Sequence, residues 1–151
     1  MATRRRPSIG TVARVALAPY LVALGFIVFL PAREAGRITG IVGVLADAVA
    51  TVGVPREPAA IVFEFLANIA LFVPLGLLLP LAWPRLGPIT VIVAGCALST
   101  GIELIQLAIP SRVSTISDVV ANTAGTALGY LVATVLLVER AKRDETPTHA
   151  R

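Results

Sequence analysis

The sequence predicts an all-α integral membrane protein, a four-transmembrane-helix bundle with an interfacial or re-entrant segment in the first outer loop. Composition is the first observation behind this class. The 151 residues are 56% hydrophobic, and only 15% are charged, whereas about a quarter of a soluble domain is charged. Apolar stretches of the ~20 residues that cross ~30 Å of hydrocarbon also recur along the chain.

The chain is predicted to form a single membrane domain, residues 1–151, with polar tails at 1–11 and 139–151. Its spans are predicted at 12–30, 61–82, 88–109 and 118–138. Pro31-Ala-Arg-Glu34 offers no small-x-small cleavage site, so the first span is predicted to be a retained anchor rather than a signal peptide. The apolar run Ile41–Val54, which contains Asp47, is too short for a fifth span and gives the interfacial or re-entrant segment.

Basic residues flank the apolar body and predict its orientation. Arg4, Arg5 and Arg6 precede the first span, and Arg140, Lys142 and Arg143 follow the last. Lys and Arg favour the cytoplasmic side of a membrane protein. We therefore expect a multi-pass protein of the bacterial cytoplasmic membrane with both termini cytoplasmic. Because the charges only flank the spans, no nucleic-acid partner is expected.

Two residue counts narrow the possible chemistry. Cys96 is the only cysteine and His149 the only histidine. An intramolecular disulfide, a cysteine-based metal site and Ser-His or Cys-His catalysis are therefore excluded. We expect neither a cofactor nor a resident metal, and any catalysis would have to use carboxylates or arginine.

Polar residues inside the spans are the best indication of function. A charge at the bilayer centre costs at least ~2.5 kcal/mol, so such residues normally face a protein interior or a wet cavity. The polar residues are Glu64 and Asn68 in the second span, Glu103 and Gln106 in the third, and Asp118 and Asn122 in the fourth. All six are predicted in the outer half of the bilayer, where they could form one polar cluster on the membrane side of the loop that carries Arg112.

Several of these residues also have purely structural interpretations. Asp118 or Ser117 could cap the fourth helix. Asn68 and Asn122 could be interhelical hydrogen-bonding groups, Glu103 and Arg112 could form a buried ion pair, and Glu64 could extend toward the interface. Gly125 and Gly129 form a small-xxx-small pair, which could pack within the chain or join two copies in a homo-oligomer.

Four motifs in order resemble the VanZ-like family of small bacterial membrane proteins. They are Asn68-Ile-Ala-Leu-Phe-Val-Pro-Leu-Gly76, Ser99-Thr-Gly-Ile-Glu103-Leu-Ile-Gln106, Pro110-Ser-Arg112, and Asp118-Val-Val-Ala-Asn122-Thr-Ala-Gly125 with Gly129 following. The resemblance covers about 64–138. It implies that Asn68, Glu103, Gln106, Arg112, Asp118 and Asn122 are the family's characteristic polar positions, and that Gly76, Gly125 and Gly129 belong to helix packing. Thr115 and Ser117 stand where some relatives carry acidic loop residues, which disfavours a divalent-metal site.

The resemblance further implies a role in the cell envelope and an association with resistance to the glycopeptide teicoplanin. We consider three functions. The cluster could bind an anionic lipid head group or a lipid-linked envelope precursor, with Arg112 on a phosphate. It could instead modify such a head group, with Glu103 and Asp118 as acid and base. A scaffold whose polar residues only fix helix register is the third.

Overall fold

The computed structural model describes residues 8–29, 40–109 and 115–145, which fold into five helices. These are α1 (Ile9–Phe29), α2 (Ile41–Ala50), α3 (Arg56–Ala82), α4 (Pro88–Gln106) and α5 (Ile116–Glu145). Four of them, α1, α3, α4 and α5, are long and apolar enough to cross a membrane. The predicted all-α bundle with four spans is therefore confirmed.

Two spanning helices are longer than their predicted apolar stretches. α3 begins at Arg56 rather than near residue 61, and α5 continues to Glu145 rather than ending near residue 138. The added residues are mainly charged or polar, so the hydropathy pattern omits them although they favour helix. At ~1.5 Å per residue, the 30 residues of α5 extend about 45 Å, which exceeds the ~30 Å hydrocarbon core.

The short helix α2 lies where the sequence predicts an additional apolar segment. Its ten residues reach about 15 Å, half of a bilayer core. The turn after it contains Gly53, whose φ of 91° is strained for any residue with a Cβ. Arg56 Nε then donates to Asp47 Oδ1 over 2.5 Å, so an exposed ion pair links α2 to the start of α3.

The bundle is organised around α3, which packs most extensively against α5 and also contacts α1, α2 and α4. Its apolar core is formed by α1, α3 and α4: Leu24, Val28, Phe72, Leu75 and Ile102. The opposite faces of the helices expose large apolar side chains, including Phe26, Ile89 and Leu131. An exposed apolar exterior of this kind is the surface that a lipid bilayer covers.

The helix directions place both described chain ends at one end of the bundle. Gly10 of α1 lies beside the Leu81 carbonyl of α3, and Ile9 and Leu81 share a groove with Arg143 of α5. We call this the Trp83 end. At the opposite end, the Gln106 end, α1 and α4 finish while α3 and α5 begin. This arrangement agrees with an even number of spans, while the side of the membrane on which each end lies stays a prediction.

Candidate functional site

A hydrogen bond between Asn68 and Asp118 joins α3 to α5 at the Gln106 end. Asn68 Nδ2 donates to Asp118 Oδ1 over 2.6 Å, and both side chains are half-buried. A bond to a charged acceptor is about twice as strong as one between neutral groups. Asp118 is also in the first turn of α5, where the free N–H groups and the helix dipole favour a negative charge.

The side chain of Asn122 connects α5 to α4 about one turn further from the Gln106 end. Asn122 Nδ2 donates to Ser99 Oγ over 2.9 Å, and both residues are buried. Thr126, also buried, donates from Oγ1 to the Asn122 backbone carbonyl over 2.9 Å. Among the described residues, Asn122 Oδ1 is buried and has no hydrogen-bond partner. Exchanging the amide oxygen and nitrogen would leave an N–H unpaired instead.

Glu103 is a buried carboxylate on α4, with 7% of its surface exposed. Its Oε2 accepts a hydrogen bond from the Thr115 backbone N–H over 3.0 Å. Within the described ranges, no lysine or arginine forms an ion pair with Glu103 or with Asp118. The described part of the site therefore has excess negative charge and several acceptors.

Thr115 caps α5, so the alternative interpretation of Asp118 or Ser117 as the cap is wrong. The Asp118 backbone N–H lies 3.2 Å from Thr115 Oγ1, the arrangement of an N-cap threonine and the third helical residue. α5 consequently begins at Ile116, two residues before the predicted start. The capping role is filled by Thr115, so the Asp118 carboxylate is free to accept from Asn68.

Gln106 links α4 to α1 at the same end of the bundle. Its Nε2 donates to the Val28 carbonyl over 2.7 Å, and 7% of the residue is exposed. Val28 lies in the last turn of α1, where backbone carbonyls have no helical partner. The bond therefore satisfies a carbonyl at the helix terminus and attaches α1 to the rest of the bundle.

Glycines allow α3 and α5 to approach closely between these polar contacts and the Trp83 end. A Cβ on Gly76 would overlap the Thr126 carbonyl, and one on Gly125 would overlap the Ile69 carbonyl. A Cβ on Gly129 would lie 2.8 Å from the Leu77 backbone nitrogen. Gly125 and Gly129 therefore face α3 of the same chain, and this surface is already occupied within the protein.

The polar residues predicted as one cluster lie at the Gln106 end as a connected set of interhelical contacts. Asn68 and Asp118 join α3 to α5, Asn122 joins α5 to α4, and Gln106 joins α4 to α1. Glu64 does not take part: it is exposed and has no hydrogen bond within the described residues. It lies one helical turn before Asn68. Arg112 lies outside the described residues.

Two residues of the site were not predicted. Ser99 begins one of the four family motifs but was given no role, and it is the acceptor for Asn122. Thr126 fills the space that Gly95 leaves, since a Cβ on Gly95 would contact the Thr126 side chain. Ser99 lies four residues before Glu103, and Thr126 lies four residues after Asn122. This helical spacing is the signal that could have identified both residues.

Among the described residues, no group of three or more His, Cys, Asp or Glu side chains could hold a metal ion. The fold and this site define a small multi-pass membrane protein with buried polar residues at one end of its helix bundle. The chain belongs to the VanZ/LLP1 family, whose model matches residues 17–137. This match confirms the resemblance found in the motifs and extends it from residue 64 back into α1. No curated protein and no solved structure is found to match the chain.

Proposed function

We propose that the Gln106 end is a binding site for an anionic lipid head group or a lipid-linked precursor of the cell envelope. We place this end at the outer leaflet of the bacterial cytoplasmic membrane, as the basic residues at both chain ends favour. Binding such a precursor would account for a contribution to resistance against glycopeptides such as teicoplanin, which act on the envelope.

The buried Oδ1 of Asn122 is the observation that carries this proposal. The residue is only 4% exposed, and the amide oxygen has no partner among the described residues. A buried acceptor without a hydrogen bond costs about 1–3 kcal/mol. A hydroxyl, amide or ammonium donor from a ligand, reaching the site directly or through a water, would remove this cost. Sugars, peptides and amino head groups of envelope lipids all offer such donors.

The negative charge of Glu103 and Asp118 favours a role for Arg112 in binding the ligand. Glu103 accepts from one neutral N–H among the described contacts, and a buried carboxylate needs more compensation than one such bond provides. Arg112 precedes Thr115 by three residues in the sequence, and its guanidinium is the cation closest in sequence to both carboxylates. Arginine binds phosphate or carboxylate through two parallel N–H donors. We propose that Arg112 holds the ligand's anionic group and that Glu103 orients Arg112.

A purely structural role is the second candidate, and one observation favours it. The side chains of Asn68, Gln106 and Asn122 each already form a hydrogen bond to another helix. In membrane bundles such bonds are worth about 0.6 kcal/mol on average and hold helices in register. A scaffold would use these residues without binding a specific lipid at the Gln106 end.

Stabilisation by added lipid distinguishes the two functions. The purified protein would be unfolded thermally in micelles that contain phosphatidylglycerol, a polyprenyl phosphate or, as the neutral reference, phosphatidylcholine. A ligand present at 100 times its Kd stabilises the native state by about 2.7 kcal/mol. We expect an anionic probe to raise Tm by more for the wild type and for Arg85→Ala than for Arg112→Ala. Equal stabilisation of Arg112→Ala and the wild type would contradict the proposal and leave the scaffold.

A further inference from the structure

A groove at the Trp83 end, opposite the polar site, lies between three helices. Ile9 of α1, Leu81 of α3 and Leu137 of α5 contribute apolar walls. The groove has a volume of about 260 Å³ and is partly open to the surroundings. Its walls belong to the spanning helices, so the apolar part of the groove is continuous with the region that lipid chains occupy.

Basic side chains form the other part of this groove. Arg140 and Arg143 line it together with Glu139, so the groove carries a net charge of +1 from its two arginines and one glutamate. Leu136, Arg140 and Arg143 follow one another at helical spacings of four and three residues, which places them along one stripe of α5. Neither arginine forms an ion pair with any side chain that the structure describes, which on this helix end at Arg143.

The depth of the arginines matches the head-group layer. If α5 enters the hydrocarbon near Asp118, its ~30 Å core ends near Val138 at ~1.5 Å per residue. Arg140 and Arg143 then lie about 3 and 7.5 Å beyond the hydrocarbon, where the head groups add roughly 5–7.5 Å to each side of the bilayer. The groove thus changes from leucine to arginine at the depth where a phospholipid changes from acyl chain to phosphate.

We propose that this groove binds one anionic phospholipid, with its phosphate on Arg140 and Arg143 and the start of an acyl chain against Leu81 and Leu137. Charge complementarity and the apolar-to-basic gradient select this occupant, since basic grooves between membrane helices are suited to anionic head groups. The site is independent of the proposed function because it lies at the other end of the bundle and uses none of the polar residues there.

Native mass spectrometry of the full chain tests this site with two lipids of identical acyl chains, phosphatidylglycerol and phosphatidylcholine. We expect the wild type to retain phosphatidylglycerol in preference to phosphatidylcholine. A basic residue beside an anionic lipid head group contributes about a fivefold gain in affinity, so Arg143→Gln should lose about fivefold and Arg140→Gln/Arg143→Gln about 25-fold. Arg85→Gln removes the same charge at the same end but outside the groove, and we expect it to behave as the wild type.

A further variant separates the groove from general surface charge. Leu137→Trp fills the apolar part and keeps both arginines, and we expect it to reduce retention as well. Circular dichroism of each variant verifies the helical fold. Equal retention of the two lipids, equal losses in Arg85→Gln and Arg143→Gln, or full retention in Leu137→Trp would overturn the proposal. Binding of inorganic phosphate by the wild type without any lipid preference would also overturn it, because the groove would then be a free-anion site.

Discussion

Asn122 donates from Nδ2 to Ser99 Oγ over 2.9 Å, while its Oδ1 is buried with no partner among the described residues. The amide nitrogen therefore attaches α5 to α4, while the amide oxygen can still accept a hydrogen bond from a ligand. The same side chain can in this way support the bundle and form part of a binding site. The two roles are separable by measurements on Ser99 and on the ligand.

A double-mutant cycle on Ser99 and Asn122 measures the structural part. Ser99→Ala removes the acceptor for Asn122 Nδ2 and should cost about 1–2 kcal/mol, since a buried donor is left unpaired. In an Asn122→Leu background the same substitution should cost little, giving a coupling of about 0.6–1.7 kcal/mol. Reversible unfolding in mixed micelles gives these values. Thr100→Ala, on the exposed neighbouring position, is the control, and the absence of coupling would show that the contact contributes nothing.

An exchange of donor and acceptor tests the bond between Asn68 and Asp118. Asn68→Asp is nearly isosteric but places a carboxylate against Asp118 Oδ1, where the amide now donates over 2.6 Å. Loss of a hydrogen bond to a charged group costs about 1.5–3 kcal/mol, and repulsion adds to this.

The reciprocal variant Asn68→Asp/Asp118→Asn is the matched control. It restores one donor and one acceptor, so we expect it to recover the free energy of unfolding except for about 0.3–1 kcal/mol. This remainder is the favourable interaction of the Asp118 charge with the N-terminus of α5, which the exchange removes. A double variant as unstable as Asn68→Asp alone would show that the two side chains do not act as a pair.

Glycine substitutions test the close approach of α3 and α5. In Gly76→Ala the new methyl would overlap the Thr126 backbone carbonyl, which cannot rotate away as a side chain can. We expect Gly76→Ala and Gly129→Ala to destabilise by about 1–3 kcal/mol, the usual cost of overpacking. Gly101→Ala is the control, because its Cβ would meet nothing within 4 Å and alanine favours the helix by up to ~1 kcal/mol. Equal effects at Gly76 and Gly101 would contradict the packing described here.

Removal of the Gln106 amide should loosen the end of α1. Gln106→Met preserves length and removes the donor to the Val28 carbonyl, so we expect faster amide hydrogen exchange in the last turns of α1. Exchange near Tyr20 should change less, because its hydroxyl donates separately to the Leu71 carbonyl over 3.0 Å. Mass-spectrometric hydrogen exchange measures both regions in one sample. Uniform acceleration along α1 would indicate that Gln106 supports the whole helix rather than its end.

Much of the fold followed from the sequence because the length of an apolar stretch directly limits what can cross a bilayer. The spans were predicted to within a few residues, except where charged helical turns extend α3 and α5 beyond the hydrocarbon. The contact of Ser99 with Asn122 and the packing of Thr126 against Gly95 were not predicted. They depend on how α4 and α5 are rotated against each other, which the close glycine contacts decide and which periodicity alone does not reveal. Glu64 was included because its spacing to Asn68 is helical, but spacing alone does not show whether a neighbouring helix covers the side chain, and Glu64 is exposed.

The most direct test of the central claim is the mass of any lipid that stays bound to the Gln106 end. Native mass spectrometry of the protein purified from a bacterial membrane would be compared with its Arg112→Ala form and with Arg140→Gln/Arg143→Gln. We predict an envelope-lipid mass on the wild type that Arg112→Ala loses and the double arginine variant keeps. No such mass on any of the three, with all equally folded, would contradict a binding site and leave the polar residues as contacts between helices.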